Sequence, residues 1–332
     1  MDEAIKIYDK EESARSLIKI LNNRSKFKIK EVSKKLGYSR QSFQNRINVL
    51  IERKIITKFT INIHPNLNPK NFKYVIIEIK TNPKEPYLVD ELLKIEELKV
   101  LDGILGEFSL FALFIFDSAE SYFKIINKID NIMAKSYFKK YHIIETIKVF
   151  KINGIELDSI KLNSNFELNK VDYLILKILQ KRQGLKPIST YEVKNILNKD
   201  FKDEINVQYK DGISQPTIYN RIKHLEKEGV ILNYTINFNP KKLGYKGKYL
   251  VRIKPKDPSR YNKIALNLER NQFITDLFRI GEQYGLFAII RVRNVEDYAN
   301  FIKYLYDTEE IEDTFTNFVL DELIPYTNFL IY

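Results

Sequence analysis

The sequence predicts an α+β protein made of two repeats, each an N-terminal winged helix-turn-helix followed by a ferredoxin-like βαββαβ domain. Three observations carry this reading. Ser39 to Pro65 (SRQSFQNRINVLIERKIITKFTINIHP) aligns without a gap to Ser214 to Pro240 (SQPTIYNRIKHLEKEGVILNYTINFNP), 175 positions later. Within each copy the apolar period switches from three and four residues to two, the signature of a helix running into a strand. Downstream, Gly106-Glu107 with Phe111-Ala112 is echoed by Gly281-Glu282 with Phe287-Ala288, in register apart from one inserted residue. Self-similarity at a fixed period marks a duplicated unit. The expected boundaries are 1–65 for the first winged helix, 66–152 for the first ferredoxin-like domain and 153–169 for a linker. The second winged helix then takes 170–244 and the second ferredoxin-like domain 245–332.

Taken in order, residues 1–9 carry no clear pattern. Ala14, Leu17, Ile18 and Leu21 recur at helical spacing and predict a first helix from Glu11 to about Asn22. Residues 29–36 predict a short second helix that Gly37 breaks, and Ser39 caps a third in which Phe43, Ile47, Leu50 and Ile51 face inward. The strand pattern that follows is read as the wing. Then come strands at 72–80, 100–106, 110–116 and 141–150 with helices at 86–93 and 119–133. Their order, βαββαβ, predicts a four-stranded antiparallel sheet with both helices on one face. Phe108, Phe111, Phe114 and Phe116 are then available for packing against another copy, in one chain or two. Gly154 and asparagine-serine clusters mark 151–169 as linker.

The second copy repeats this order. Val171, Leu174, Ile175 and Ile178 make its first helix, and Ser189 caps a second that runs to about Leu197. Residues 198–211 have no counterpart in the first copy and are expected to form a hairpin or loop. Ser214 and Pro216 start the next helix, whose stripe of Ile218, Ile222 and Leu225 leaves the opposite face polar, and Gly229 ends it. Strands are expected at 249–254, 273–281, 286–293 and 314–323, with helices at 260–268 and 295–305. The apolar tail 324–332 is expected to add an edge strand or to cover a sheet.

Charge narrows the function. The 332 residues carry 55 Lys and Arg against 43 Asp and Glu, a net +12. Residues 24–58 net +9 and residues 170–248 net +8, leaving −5 for everything else. The excess sits on the two helical segments, which is the footprint of phosphate binding. Zero cysteines exclude disulfides, thiolate metal sites and cysteine nucleophiles, and three histidines leave little for a metal centre. No catalytic residue, cofactor or metal is expected. The absence of a signal peptide and of a long apolar run points to the cytoplasm and to no membrane.

The polar faces supply the candidate nucleic-acid contacts: Ser39, Arg40, Gln41, Gln44, Asn45, Arg46 and Asn48 in the first copy; Ser214, Gln215, Thr217, Tyr219, Asn220, Arg221 and Lys223 in the second. Amides and tyrosine suit base edges, whereas Arg46 and Arg221 suit phosphates or a bracing role, with Arg221 to Glu226 the competing internal pair. Lys58 and Asn233 in the wings are weaker phosphate candidates. His224, beside the apolar stripe, reads as a partly buried imidazole.

The run S-x-x-T-I-x-N-R-I-x-x-L-E-x-x-G-V-I into N-Y-T-I-N-F-N-P-K-K-L-G, followed by βαββαβ and a Gly-Glu-x-Tyr-Gly turn, resembles the Lrp/AsnC (feast/famine) transcription regulators. The resemblance implies double-stranded DNA as partner, a dimerising ligand-sensing domain and a small-molecule effector such as an amino acid. It places the effector near Gly106, Glu107, Phe108 and Ser109, and near Gly281, Glu282, Gln283, Tyr284 and Gly285. Members usually carry one unit per chain, so an intrachain pseudo-dimer or a homo-oligomer is expected here. The alternative is an enzyme of the same architecture, a haem-biosynthesis (sirohaem) decarboxylase. It would need histidine and arginine near the second and third strands, and 101–116 holds neither while 275–291 holds arginine without histidine.

Overall fold

A computed structural model describes residues 13–22, 33–34, 37–67, 72–163, 166–206 and 208–331. In chain order the elements are α1 (13–22), α2 (Arg40–Glu52), β1 (Ile56–Ile63), β2 (Lys73–Ile79), α3 (Pro86–Leu93), β3 (Leu98–Ile104), β4 (Leu110–Phe116), α4 (Ala119–Ala134) and β5 (Tyr141–Ile152). The chain continues with β6 (Ile155–Glu156), α5 (Lys170–Lys181), α6 (Thr190–Asp200), α7 (Lys202–Ile205), α8 (Gln215–Lys227) and β7 (Ile231–Phe238). The last stretch is β8 (Gly247–Pro255), α9 (Tyr261–Leu268), β9 (Ile274–Ile280), β10 (Leu286–Val292), α10 (Val295–Asp307) and β11 (Ile311–Glu322). Glu11 and Glu12, residues 1–9 and most of the expected helix at 29–36 lie outside the described residues.

These elements form two compact units, one of Met1–Pro69, Ile160–Gly244 and Tyr326–Tyr332, the other of Lys70–Ser159 and Tyr245–Pro325. The helical unit is held by short amphipathic helices with good ends. Ser39 accepts from the Ser42 backbone N–H, Ser214 from Thr217, and Ser189 with Glu192 forms a reciprocal capping box. Phe43, Ile47 and Leu50 of α2, and Ile218, Ile222 and Leu225 of α8, are buried at the expected spacing.

Among the described residues neither expected wing is a separate hairpin. Each module contributes one strand, and β1 pairs with β7 antiparallel, Thr60 opposite Thr235 and Asn62 opposite Asn233. A lone strand leaves its backbone donors and acceptors unmet, and the repeated strand of the other copy is the matching edge. The linker is also packed: Ile155–Glu156 extends β5 as a hairpin, and Leu157 and Phe166 are buried. The tail belongs to the helical unit, not to the second sheet. Phe329 and Ile331 are buried, Phe329 meets the Phe238 ring at 5.1 Å, and its carbonyl accepts from Asn22 Nδ2 at 2.9 Å. Apolar tail residues gain more by covering this ribbon than by staying in water.

Gly229 closes α8 with φ 76°, and its amide and that of Val230 reach back to Glu226 and Leu225. A Cβ there would lie 2.9 Å from the Lys161 carbonyl oxygen. Gly229→Ala is expected to lower the unfolding free energy by about 1–2 kcal/mol from the left-handed backbone alone. An unchanged denaturant midpoint would show that the turn is not held in this conformation.

In the other unit, each half has the order βαββαβ and buries one sheet face under its helices. Val75, Ile77, Ala112, Phe114 and Phe116 pack on α3 and α4; Val251, Ile253, Ala288 and Ile290 pack on α9 and α10. Phe114 and Phe116 were thus read on the wrong face, since period-2 alternation sends them to the same side as Ala112. Phe111 points the other way and stacks on Phe287 of the second half, centroids 5.5 Å apart and planes at 3°. The sheets join through their long last strands. β5 pairs with β2 over Tyr141–Glu145 and with β9 over Thr146–Lys151; β11 pairs with β8 over Ile311–Phe318 and with β3 over Val319–Glu322. The pairings run β2-β4-β3-β11-β8-β10-β9-β5 and return to β2, so no long edge stays open. Between the halves lie two ion pairs, Arg252 with Glu78 (2.7 Å) and Lys248 with Asp102 (2.6 Å); within the second half Arg252 also meets Glu282 (2.6 Å) and Arg291 meets Glu322 (2.5 Å).

Candidate nucleic-acid interface

The two polar helices differ in how their side chains are engaged. On α2, Arg40, Gln41, Asn45, Arg46 and Asn48 are exposed and Gln44 is half-buried. Gln41 donates to Asn45 (3.0 Å) and Gln44 to Asn48 (3.1 Å), so the amides form two i,i+4 pairs along the outer face. Arg46 lies 4.3 Å over the Tyr38 ring and donates to Ser13 Oγ at 3.3 Å, keeping its guanidinium at the surface. Gln44 and Asn48 also line an open cavity of about 850 Å³ with Arg182, Leu185, Glu192 and Asn195. That half of the amide row therefore borders the second module.

On α8, Gln215, Tyr219, Asn220 and Lys223 are exposed, Tyr219 at 47%. Gln215 Nε2 donates to Thr190 Oγ1 (3.2 Å), Thr217 shares a hydroxyl bond with Ser214 (2.8 Å), and Lys223 pairs with Glu226 (2.6 Å). Ser39 and Ser214 are spent on helix caps. Arg221 faces inward: it donates to Asp172 Oδ1 at 2.8 Å and to the Tyr209 hydroxyl at 2.8 and 3.2 Å. It braces α8 against α5, and its partner is Asp172 instead of the Glu226 named as the competing pair. Asp172 is 4% exposed.

Tyr209 comes from the 198–211 insertion, which is neither a hairpin nor an open loop. α6 runs on to Asp200, α7 adds a turn with Ile205 buried, and the Asn198 side chain bonds both the N–H and the carbonyl of Ile213. The sequence reading missed Tyr209 and Asp172. One signal was available: Asp172 sits at the head of the apolar run VDYLILKIL, where a carboxylate needs a buried partner.

The weaker candidates are internal. Lys58 is half-buried, and burial, with Lys181 beside it, lowers its pKa. Asn233 is buried, accepts from Asn62 (2.9 Å) and donates to the Asn22 carbonyl (2.9 Å). Both are spent on the ribbon. His224 is 57% exposed instead of partly buried, edge-on to Phe166 and 3.5 Å from Glu228.

The effector turns are also engaged. Glu107 pairs with Lys140 (2.6 Å), Phe108 stacks on His142 (6.3 Å), and the Ser109 hydroxyl bonds the backbone of Thr81. In the second turn Glu282 is held by Arg252, and the Tyr284 hydroxyl donates to Asp313 (2.9 Å). Gly281 donates to the Glu145 carbonyl (3.0 Å), and the Leu105 amide beside Gly106 donates to Phe318 (3.4 Å), so each turn leans on the opposite half's last strand. Among the described residues no group of three or more His, Asp or Glu is arranged to hold a metal ion, and no helix is long and apolar enough to cross a membrane.

Capped amphipathic helices in one unit and sheets of βαββαβ order in the other are a mixed α+β arrangement that suits a helix-turn-helix regulator. Comparison with known proteins agrees. Residues 249–329 match the model of the Lrp/AsnC ligand binding domain. The HTH-type transcriptional regulator FL11 of Pyrococcus abyssi is 31% identical over 153 residues, 46% of this chain and 89% of the relative. LrpA of Pyrococcus horikoshii is 36% identical over 110 residues, 32% of this chain and 76% of the relative. The chain belongs to the Lrp/AsnC family of HTH-type transcriptional regulators. Among solved structures, the siroheme decarboxylase NirDL superposes with a TM-score of 0.57 over 95% of this chain and 91% of that one, at 11% identity, a likeness of fold alone.

Proposed function

We propose that this chain is two Lrp/AsnC units fused in tandem, a cytoplasmic regulator that binds double-stranded DNA in a sequence-specific way with both helix-turn-helix modules. The observation that carries this reading is the β1–β7 ribbon, which ties the two modules into one unit while leaving Arg40, Gln41, Asn45 and Arg46 of α2 and Gln215, Tyr219, Asn220 and Lys223 of α8 exposed. Support for the fusion comes from the repeat itself and from relatives whose near-full length matches just under half of the chain. Lysines and arginines neutralise phosphates and supply most of the affinity; the outward amides and Tyr219 read base edges in the major groove. Arg221, held by Asp172 and Tyr209, sets the angle of α8 instead of touching phosphate.

The test is a fluorescence titration with double-stranded DNA at several salt concentrations. The logarithm of the association constant should fall linearly with the logarithm of salt, and Arg40→Ala/Arg46→Ala should flatten the slope by roughly one to two units. A salt-independent affinity, or a slope the double variant leaves untouched, sinks the reading.

A small-molecule effector of the amino-acid class acts through the sheet unit, because the matched family model over 249–329 is a ligand-binding domain. A shift of DNA affinity on adding single amino acids would identify it; no shift across all of them would remove the effector from the proposal. The second reading, a sirohaem decarboxylase, has the whole-chain fold likeness behind it. Tight binding of an iron tetrapyrrole with loss of carbon dioxide would favour it.

A further inference from the structure

The two halves of the sheet unit are related residue by residue through the strand registers. Phe111 lies opposite Glu78 and Asp102, and Phe287 lies opposite Arg252 and Phe278. Glu78 is therefore the counterpart of Arg252, and Asp102 of Phe278. Likewise Tyr74 opposite Ile115 matches Lys248 opposite Arg291, and Glu322 opposite Asp102 matches Val149 opposite Phe278. The halves thus meet along two equivalent seams of opposite chemistry. One seam is ionic: Lys248, Arg291, Asp102 and Glu322, none more than 8% exposed. The other is apolar: Tyr74 packs on Phe278 at 5.8 Å beside buried Val149 and partly buried Ile115. At the centre, where a two-fold axis would bring like residues together, Glu78 meets Arg252 at 2.7 Å.

From this we infer that the sheet surface accepts only its unlike half: each half is a partner for the other, and neither can pair with a copy of itself. The inference rests on the fused-pair reading above. Two copies of the first half would bury Asp102 twice without a cation and set Glu78 against Glu78. Two copies of the second would set Arg252 against Arg252 and take from each Lys248 its contact with Asp102, leaving Lys248 and Arg291 only the carboxylates of their own half, Glu322 and Asp276. A buried charge without its partner is strongly unfavourable, whereas opposite charges in contact satisfy each other. Each sheet pair consequently brings one α2 and one α8 module, so a site read by that pair has two different half-sites and need not be palindromic.

The cysteine-free chain allows a direct test in the full-length protein. Gly103 and Asp321 are register partners across the ionic seam, and a Cβ on Gly103 would lie 3.9 Å from that of Asp321, the separation a disulfide requires. Oxidised Gly103→Cys/Asp321→Cys should lose both free thiols while keeping the mass of one chain on a non-reducing gel. Lys148→Cys/Arg279→Cys, register partners at the apolar seam, should do the same. Self-pairing predicts different neighbours: position 103 of one chain against 148 of another, or 279 against 321. Gly103→Cys/Lys148→Cys and Arg279→Cys/Asp321→Cys should therefore keep their thiols and give no covalent dimer. A covalent dimer from either of these two variants, or no within-chain crosslink in either of the first two, overturns the inference. Because the readout needs no DNA, it is independent of whether the salt titration succeeds.

Discussion

Glu322→Ala is expected to destabilise the sheet unit by about 3–5 kcal/mol. Glu322 accepts from Arg291 Nη1 at 3.0 Å and from Nη2 at 2.5 Å, and stands 3.5 Å from Lys248 Nζ. All three side chains are almost fully shielded from water, so truncating the carboxylate removes the hydrogen-bonded partner of Arg291 and leaves two cations in a low-dielectric interior with only Asp102 and the buried Asp276 near them. The large value measures the penalty on what remains, not the worth of the pair. Replacing the whole ionic seam by the residues of the apolar one (Lys248→Tyr, Arg291→Ile, Asp102→Phe, Glu322→Val) should therefore be far milder than the single change. Denaturant unfolding of the two variants checks this. A single variant within about 1 kcal/mol of wild type would mean that water reaches the seam.

Acid should weaken the helical unit through His64. Burial lowers its pKa from 6.5 to about 4, and Nδ1 accepts the Asn66 backbone N–H at 3.1 Å, so the folded state wants the neutral ring. A base with a depressed folded pKa contributes fully above its unfolded value. Below pH 6.5 the unfolded chain takes up a proton that the folded chain refuses, and stability falls until about pH 4, by roughly 3 kcal/mol in all. His64→Asn keeps an acceptor and removes the titration. Its unfolding free energy should change less than that of the wild type over this window, and parallel pH profiles would clear His64 of the role.

Much of the fold could be read locally. The structure starts and ends α3 at Pro86 and Leu93 and β4 at Leu110 and Phe116, as expected, because a proline at the first helical position, serine caps and an unbroken apolar run are signals carried by neighbouring residues. The polar faces of α2 and α8 were legible for the same reason: a stripe of Ile218, Ile222 and Leu225 fixes which side is left for solvent. Long-range partners were not. Arg221 sits four residues from Leu225 and five from Glu226, yet bonds Asp172, 49 positions away, and Lys58 is drawn into a ribbon whose other strand begins at Ile231. The charges inside otherwise apolar strands, Glu78 in VIIEI and Arg252 in LVRIK, were visible in the sequence and unexplained there.

By itself the sequence determined the repeat, the α+β class, the order of elements and the two basic helices, since each depends on residue type and short-range period. Only the tertiary structure decided which strand meets which, that the last strands cross between sheets, and that one seam is ionic and its equivalent apolar. The joins between the halves, β5 to β9 and β11 to β3, and the β1–β7 ribbon are made by residues more than a hundred positions apart, and no local preference encodes them.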